Sequence, residues 1–190
     1  MKRKRRIHLL VTGVVGVILG FLIGYFSFIP VQRTLHNIKR SRENTSMMSW
    51  KNEPLPDGHM FNVDGKQWET SVERRKVRVL VFWSVSCGSC MEALDELNVV
   101  YESYAHMTDF AMTGIHRQRE MDLTQYVCSQ KGVKWPQFYE TDSDTEKLLS
   151  SKLGIRRIPS IWVVGHEGTI LNVQVPVESL QNILDQLLIK

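Results

Sequence analysis

The first 42 residues contain no Asp or Glu, yet they hold nine of the chain's 24 Lys and Arg. The rest of the 190 residues sets 15 basic side chains against 20 acidic ones. The positive charge therefore belongs to one end, and the remainder is mildly acidic. A nucleic-acid-binding module would carry its basic patch on the folded domain, so that class is set aside and no nucleic-acid partner is expected. Cysteine is scarce as well. Three are too few for a disulfide-stapled scaffold. Two of them, Cys87 and Cys90, are spaced C-x-x-C, but no second C-x-x-C and no His-x-x-x-His follows. A structural zinc needs about four ligands, so the pair alone is half a metal site at most. There are no internal repeats and no low-complexity segments.

What is present begins with a membrane signal. Met1 to Arg6 is almost wholly basic, and residues 9–29 are almost wholly apolar. About 21 residues at about 1.5 Å each span roughly 31 Å, the thickness of a bilayer core. A cleaved signal peptide has a shorter apolar core of about 7–15 residues and a small-residue cleavage site. This run ends Phe26-Ser27-Phe28-Ile29-Pro30 with no A-x-A pattern. The expectation is a single-pass protein of the cell membrane with an uncleaved signal anchor at 9–29. Residues 1–8 form a basic cytoplasmic tail and the catalytic domain lies outside the cytoplasm. Arg33, Lys39, Arg40 and Arg42 flank the other side, less tightly than the tail does. Membrane lipid is thus one partner. Thr12, Gly16, Gly20 and Gly24 recur every four residues, a small-residue face on which a second membrane helix can pack, in a homodimer or with a membrane partner. The alternative is the ordinary glycine content of such helices. Residues 30–57 mix polar and basic residues with two prolines past Pro30 and read as a tether.

From residue 58 to 190 the signals become regular. Met60 to Trp68 reads as a hairpin with a tight turn at Asp64-Gly65. Val77 to Trp83 is an apolar strand broken only by Arg78, suited to the middle of a sheet. A long helix follows from about Cys87 to about His106, then a strand at Phe110 to Ile115. A helix over Leu123–Lys131 stops at Gly132. Trp135 to Tyr139 is extended, and Ser143 to Glu146 looks like a capping box opening a helix that closes at Gly154. Ser160–Val164 and Thr169–Val175 form an antiparallel hairpin about His166-Glu167-Gly168, and Leu180, Ile183, Leu184, Leu187 and Leu188 mark a last amphipathic helix. The order gives an α/β class, a central mixed sheet with helices on both faces, preceded by one N-terminal transmembrane helix.

The chemistry lies where the strand Val79 to Trp83 runs through Ser84-Val85-Ser86 into Cys87-Gly88-Ser89-Cys90. A helix start offers unpaired N–H groups and partial positive charge, which stabilise a thiolate. A C-x-x-C cysteine there can ionise well below the free value of about 8.5. Cys90, Leu94, Leu97, Tyr101 and Tyr104 fall on one helical stripe, so Cys90 begins the buried face and Cys87 stands at the exposed tip of the first turn. Cys87 is read as the attacking nucleophile and Cys90 as the resolving thiol. Metal binding and an inert structural disulfide are the competing readings. Cys128, within a helix, reads as a small buried residue, with a regulatory thiol as the sharper alternative. His59, His106, Met47 and Met48 read as surface or tether residues.

With these residues in view, the chain resembles the thioredoxin superfamily, and within it the membrane-anchored TlpA/ResA-type thiol–disulfide oxidoreductases. The resemblance rests on Asp64-Gly65-Lys66, Phe82-Trp83 before the C-x-x-C, Gly132-Val133-Lys134-Trp135-Pro136, Gly154 to Ser160 with its Ile158-Pro159, and the turn Gly165 to Gly168. It covers roughly residues 58–188. It implies the thioredoxin-like fold and a redox pair at Cys87 and Cys90. It also implies that Pro159 is cis, that Ile158 presents its backbone to an extended substrate, and that Trp83 and Ser86 border the substrate site. Protein disulfides would be the substrates, a membrane electron donor would re-reduce the pair, and no cofactor is needed. One implied task is keeping the haem-binding cysteines of apocytochrome c reduced. Two departures stand out. Thioredoxins proper carry a buried acid in the strand before the motif, absent from Val79 to Trp83. Most relatives place Trp before the first cysteine, where this chain has Ser86, opening the surface beside Cys87. The rivals are a copper-binding or metal-delivery protein on the same fold, using the soft Cys pair, and an adaptor with a vestigial pair. Copper-handling relatives use a wider cysteine spacing plus a distant His, whereas here the spacing is C-x-x-C and His116 and His166 both fall in predicted turns.

Overall fold

The computed structural model describes residues 32, 34, 37–39, 41, 47–70, 77–116, 121–140 and 148–189. The chain divides into two compact units, 1–44 and 45–190. The expected membrane span at 9–29, with Gly16, Gly20 and Gly24, lies outside the described residues. Among the described residues no helix is long and apolar enough to cross a membrane.

The elements run β1 (His59–Phe61), β2 (Gln67–Glu69), β3 (Val77–Trp83), α1 (Gly88–Tyr104), β4 (Phe110–His116), α2 (Met121–Lys131), β5 (Gln137–Glu140), α3 (Leu149–Lys152), β6 (Ser160–Val164), β7 (Ile170–Asn172) and α4 (Val177–Leu188). The described strands form one sheet in the order β2-β1-β5-β4-β3-β6-β7. Strands β3, β4 and β5 are parallel, while β1 and β6 run against them. Both crossovers, through α1 and through α2, step the same way across the sheet. Right-handed connection then puts both helices on one face. Cys90, Leu94 and Leu97 of α1, Cys128 of α2 and Leu180 and Leu184 of α4 pack there with Val77, Val79, Val81 and Trp83. The alternate residues Leu80 and Phe82 face a second core with Leu149, Leu153, Ile155 and Trp162. Because both faces are covered, β3 is buried at every position, as a continuous apolar run requires. Arg78 is buried as well, its guanidinium donating to the Thr70 carbonyl.

Three expectations need correction. Residues 47–57, assigned to the tether, fold onto the domain. Met47 is 1% exposed and belongs to the second core. Asn52 N–H donates to Ile170 O at 2.8 Å, Leu55 N–H to Gly168 O at 2.8 Å, and Ile170 N–H to Glu53 O at 2.9 Å. Among the described residues, α3 packs on that face of the sheet, and this segment adds further cover beside it. The β1–β2 turn is longer than two residues. The Asn62 side chain organises it, accepting from Asp64 N–H at 3.1 Å and Lys66 N–H at 2.7 Å. Finally, Leu148 is extended, so α3 begins at Leu149; the capping box at 143–146 lies outside the described residues. Gly132 and Gly154 do end their helices, each with positive φ (66° and 68°) that only glycine adopts cheaply.

Candidate active site

Because β3, β4 and β5 are parallel, their C-terminal ends lie at one edge of the sheet. The loop from β3 to α1 is shaped by serines. Ser84 Oγ accepts from Ser86 N–H at 3.2 Å and is hydrogen-bonded to Ser86 Oγ at 2.9 Å. Cys87 N–H then donates to Ser84 O at 3.1 Å. This local side-chain turn brings Cys87 to the N-cap of α1 with extended backbone, φ −102° and ψ 111°.

At that cap the thiol does what a serine hydroxyl does elsewhere. Cys87 Sγ accepts from Cys90 N–H at 3.3 Å, lies 3.3 Å from Ser89 Oγ, and donates to Ile158 O at 3.6 Å. Partial burial pushes the Cys87 thiol up, but the hydrogen bonds from Cys90 and Ser89 outweigh it, and its pKa is lowered. Cys90 is the opposite case. It is 0% exposed, and burial, with the hydrogen bond to Cys87, pushes its thiol up to about 12. Both are free thiols. One half-buried thiol is more acidic than an ordinary thiol and one buried thiol holds its proton more tightly, the division of labour that thiol–disulfide exchange uses.

The other expected site residues separate into two groups. The Ile158–Pro159 peptide is cis; both residues are half-buried, with the Ile158 carbonyl against Cys87. Ser86 is exposed beside Cys87. Trp83 is not at the surface. It is 0% exposed, within the buried cluster that also holds Cys90, so its place as a substrate contact is corrected. His116, expected in a turn, is the last residue of β4 and is 1% exposed. Phe110, Met112, Gly114 and His116 alternate onto one face, and that period was the available signal for a longer strand. His166 is exposed in its turn. Among the described residues no group of three or more His, Cys, Asp or Glu gathers as a metal site. Cys128 is buried, and burial pushes its thiol up to about 11. Ser84, Ser89 and Gln137 were not singled out in advance, because their roles depend on tertiary neighbours.

A family model described as thioredoxin-like matches residues 75–170. The chain belongs to the thioredoxin-like family. Its fold is shared with several solved structures. One is the thioredoxin domain of a thiol-disulfide oxidoreductase from Bacteroides vulgatus, at 19% identity and TM-score 0.65, covering 72% of this chain and 96% of that one. A second is a thiol-disulfide oxidoreductase from Bacteroides fragilis, at 23% identity and TM-score 0.64, covering 72% and 100%. A third is a thiol:disulfide interchange protein from Bacteroides sp., at 18% identity and TM-score 0.66, covering 74% and 91%. No curated protein matches the chain.

Proposed function

We propose that this thioredoxin-like protein is a thiol–disulfide oxidoreductase, tethered to the cell membrane by residues 9–29, that reduces disulfides of proteins outside the cytoplasm. The observation that carries the reading is the pair of opposed thiols: Cys87, half-buried at the helix cap with Cys90 N–H donating to its sulfur, and Cys90, 0% exposed in the core. The names carried by the Bacteroides structures support the same chemistry.

The Cys87 thiolate attacks one sulfur of a substrate disulfide. The Cys87–substrate bond forms as the substrate bond breaks, and the departing thiolate takes up a proton. Cys90 then gives up its proton and attacks Cys87 Sγ, forming the Cys87–Cys90 disulfide and releasing the second substrate sulfur, which is protonated in turn. Two electrons have passed to the substrate. The Ile158 carbonyl beside Cys87 holds the substrate backbone, so binding reads little side-chain sequence. A dithiol donor in the membrane returns two electrons to the pair. The TlpA/ResA-type resemblance supports the reductive direction and a place in cytochrome c maturation. The Gly16, Gly20 and Gly24 face is the contact for that membrane partner or for a second copy.

The test is a trap. In native membranes Cys90→Ala stops the second step, so substrates accumulate as disulfide adducts of Cys87. Adducts that vanish in the Cys87→Ala/Cys90→Ala double variant are the expected result. An unreactive Cys87 with copper bound to the reduced protein would replace this reading with metal delivery.

A further inference from the structure

Behind the dithiol, three parallel strands place two rows of side chains on one face. Val81, Gly114 and Gln137 are in register, and so are Trp83, His116 and Tyr139. The second row is aromatic throughout: Trp83 meets His116 edge-on at 4.5 Å, and His116 stacks on Tyr139 at 4.9 Å. Gln137 reaches from the first row to the second. Its Oε1 accepts from Trp83 Nε1 at 3.0 Å and lies 3.0 Å from His116 Nε2. Its Nε2 donates to Trp135 O at 2.8 Å. A carbonyl only accepts, so Trp135 fixes which end of the amide faces the aromatic row. Gln137 Oε1 therefore has no proton to give, and His116 must donate from Nε2.

The path of that amide is built into the backbone. A Cβ on Gly114 would collide with Gln137 Oε1 and stand 2.8 Å from Trp135 Cζ3. Glycine at 114 leaves the slot the amide crosses. Trp83 and His116 are 0% and 1% exposed, so no solvent competes for their N–H groups. Trp83 and Cys90 belong to the same buried cluster, and Cys87, at the helix cap, lies between them in the chain.

We infer that Gln137 is a positioning residue of the redox site: through the Gly114 slot it locks Trp83 as the rear wall against which Cys90 is aimed at Cys87. The inference rests on the exchange function proposed above. It assigns Gln137 to the resolving step, because Cys90 lies wholly within the cluster that Trp83 walls, whereas Cys87 is held by its own cap. Small misplacements of reacting groups cost rate steeply.

The test uses oxidised glutathione as probe and the full chain in detergent. Attack by Cys87 forms a glutathione adduct and releases one glutathione. Attack by Cys90 releases the second. Gln137→Leu is expected to leave adduct formation within about twofold of wild type and to slow adduct resolution about tenfold. The adduct then accumulates and is read by mass spectrometry. Gly114→Ala, which displaces the amide without removing it, is expected to act the same way. In wild type, which needs no substitution, the Trp83 indole and His116 ring resonances are expected to shift between the reduced, adduct and disulfide states. Unchanged resonances in wild type, or equal slowing of both steps in the variants, would overturn the inference. A wild type that exchanges normally while Gln137→Leu resolves its adduct at the wild-type rate would overturn it too and leave the exchange function standing. A wild type that does not exchange would overturn both.

Discussion

Truncating Met47 to Ala tests where the domain begins. Met47 is 1% exposed in the second core, and its sulfur accepts from Gln174 Nε2 at 3.0 Å. A buried Met→Ala change costs about 2–5 kcal/mol, depending on how far the site collapses. Met47 sits near the end of a segment pinned at one edge, which relaxes more readily than a central strand, so the expected loss is about 2–3 kcal/mol. For a domain of this size that lowers Tm by roughly 6–10 °C. Deleting residues 47–57 removes more: the Met47 side chain, the half-buried Trp50 and Leu55, and three main-chain hydrogen bonds to residues 168–170. Each such bond contributes about 0.5–1.5 kcal/mol net, and the whole loss, roughly 5–8 kcal/mol, rivals the stability of an ordinary domain. Urea titrations of residues 45–190, of the same piece with Met47→Ala, and of residues 58–190 give the comparison. A ladder of falling midpoints is expected, with the last piece largely unfolded. Equal midpoints for 45–190 and 58–190 would refute the packing argument and restore 47–57 to the tether.

Three further outcomes follow from the site. Burial holds His116 neutral in the folded state, its pKa brought down to about 4 against an ordinary 6.5, with Gln137 opposing. The unfolded chain binds the proton first, so its contribution to stability is intact above about pH 6.5 and falls as pH drops, by roughly 3 kcal/mol at pH 4. Urea midpoints of His116→Phe across that window should be flatter than wild type by this amount; parallel curves would show that His116 is not held neutral. Ser89→Ala removes one hydrogen bond to Cys87 Sγ, so the pH midpoint for Cys87 alkylation should rise, and an unchanged midpoint would mean Ser89 donates nothing to the thiolate. Cys128, buried with its thiol pushed up to about 11, should be alkylated only as fast as the domain opens. Labelling at free-cysteine rates would count against its burial.

Strand β3, the C-x-x-C and the stripe of α1 were legible because their signals are local and periodic. The spacing of Cys90, Leu94 and Leu97 among solvent-facing residues separates a buried thiol from an exposed one, and Gly132 marks a helix end by its freedom at positive φ. What sequence did not reveal depends on distant partners. Residues 47–57 bury few side chains and pair through backbone with β7, which composition cannot foresee. The bond from Trp83 to Gln137 joins residues 54 apart in the chain. His116 ended a strand whose apolar run stops one residue earlier, so a polar residue at a buried position read as a turn. The buried acid missing from β3 was visible as an absence, while the polar cluster of His116 and Gln137 behind the site was not.

The most direct test of the central claim is the pH dependence of alkylation at Cys87 and Cys90 separately, read by mass spectrometry on the reduced protein. Two well-separated curves are predicted, Cys87 reacting below the pH of an ordinary thiol and Cys90 silent until strongly alkaline pH. Curves that coincide, or Cys90 reacting first, would contradict the division of nucleophile and resolving thiol on which the proposed exchange rests.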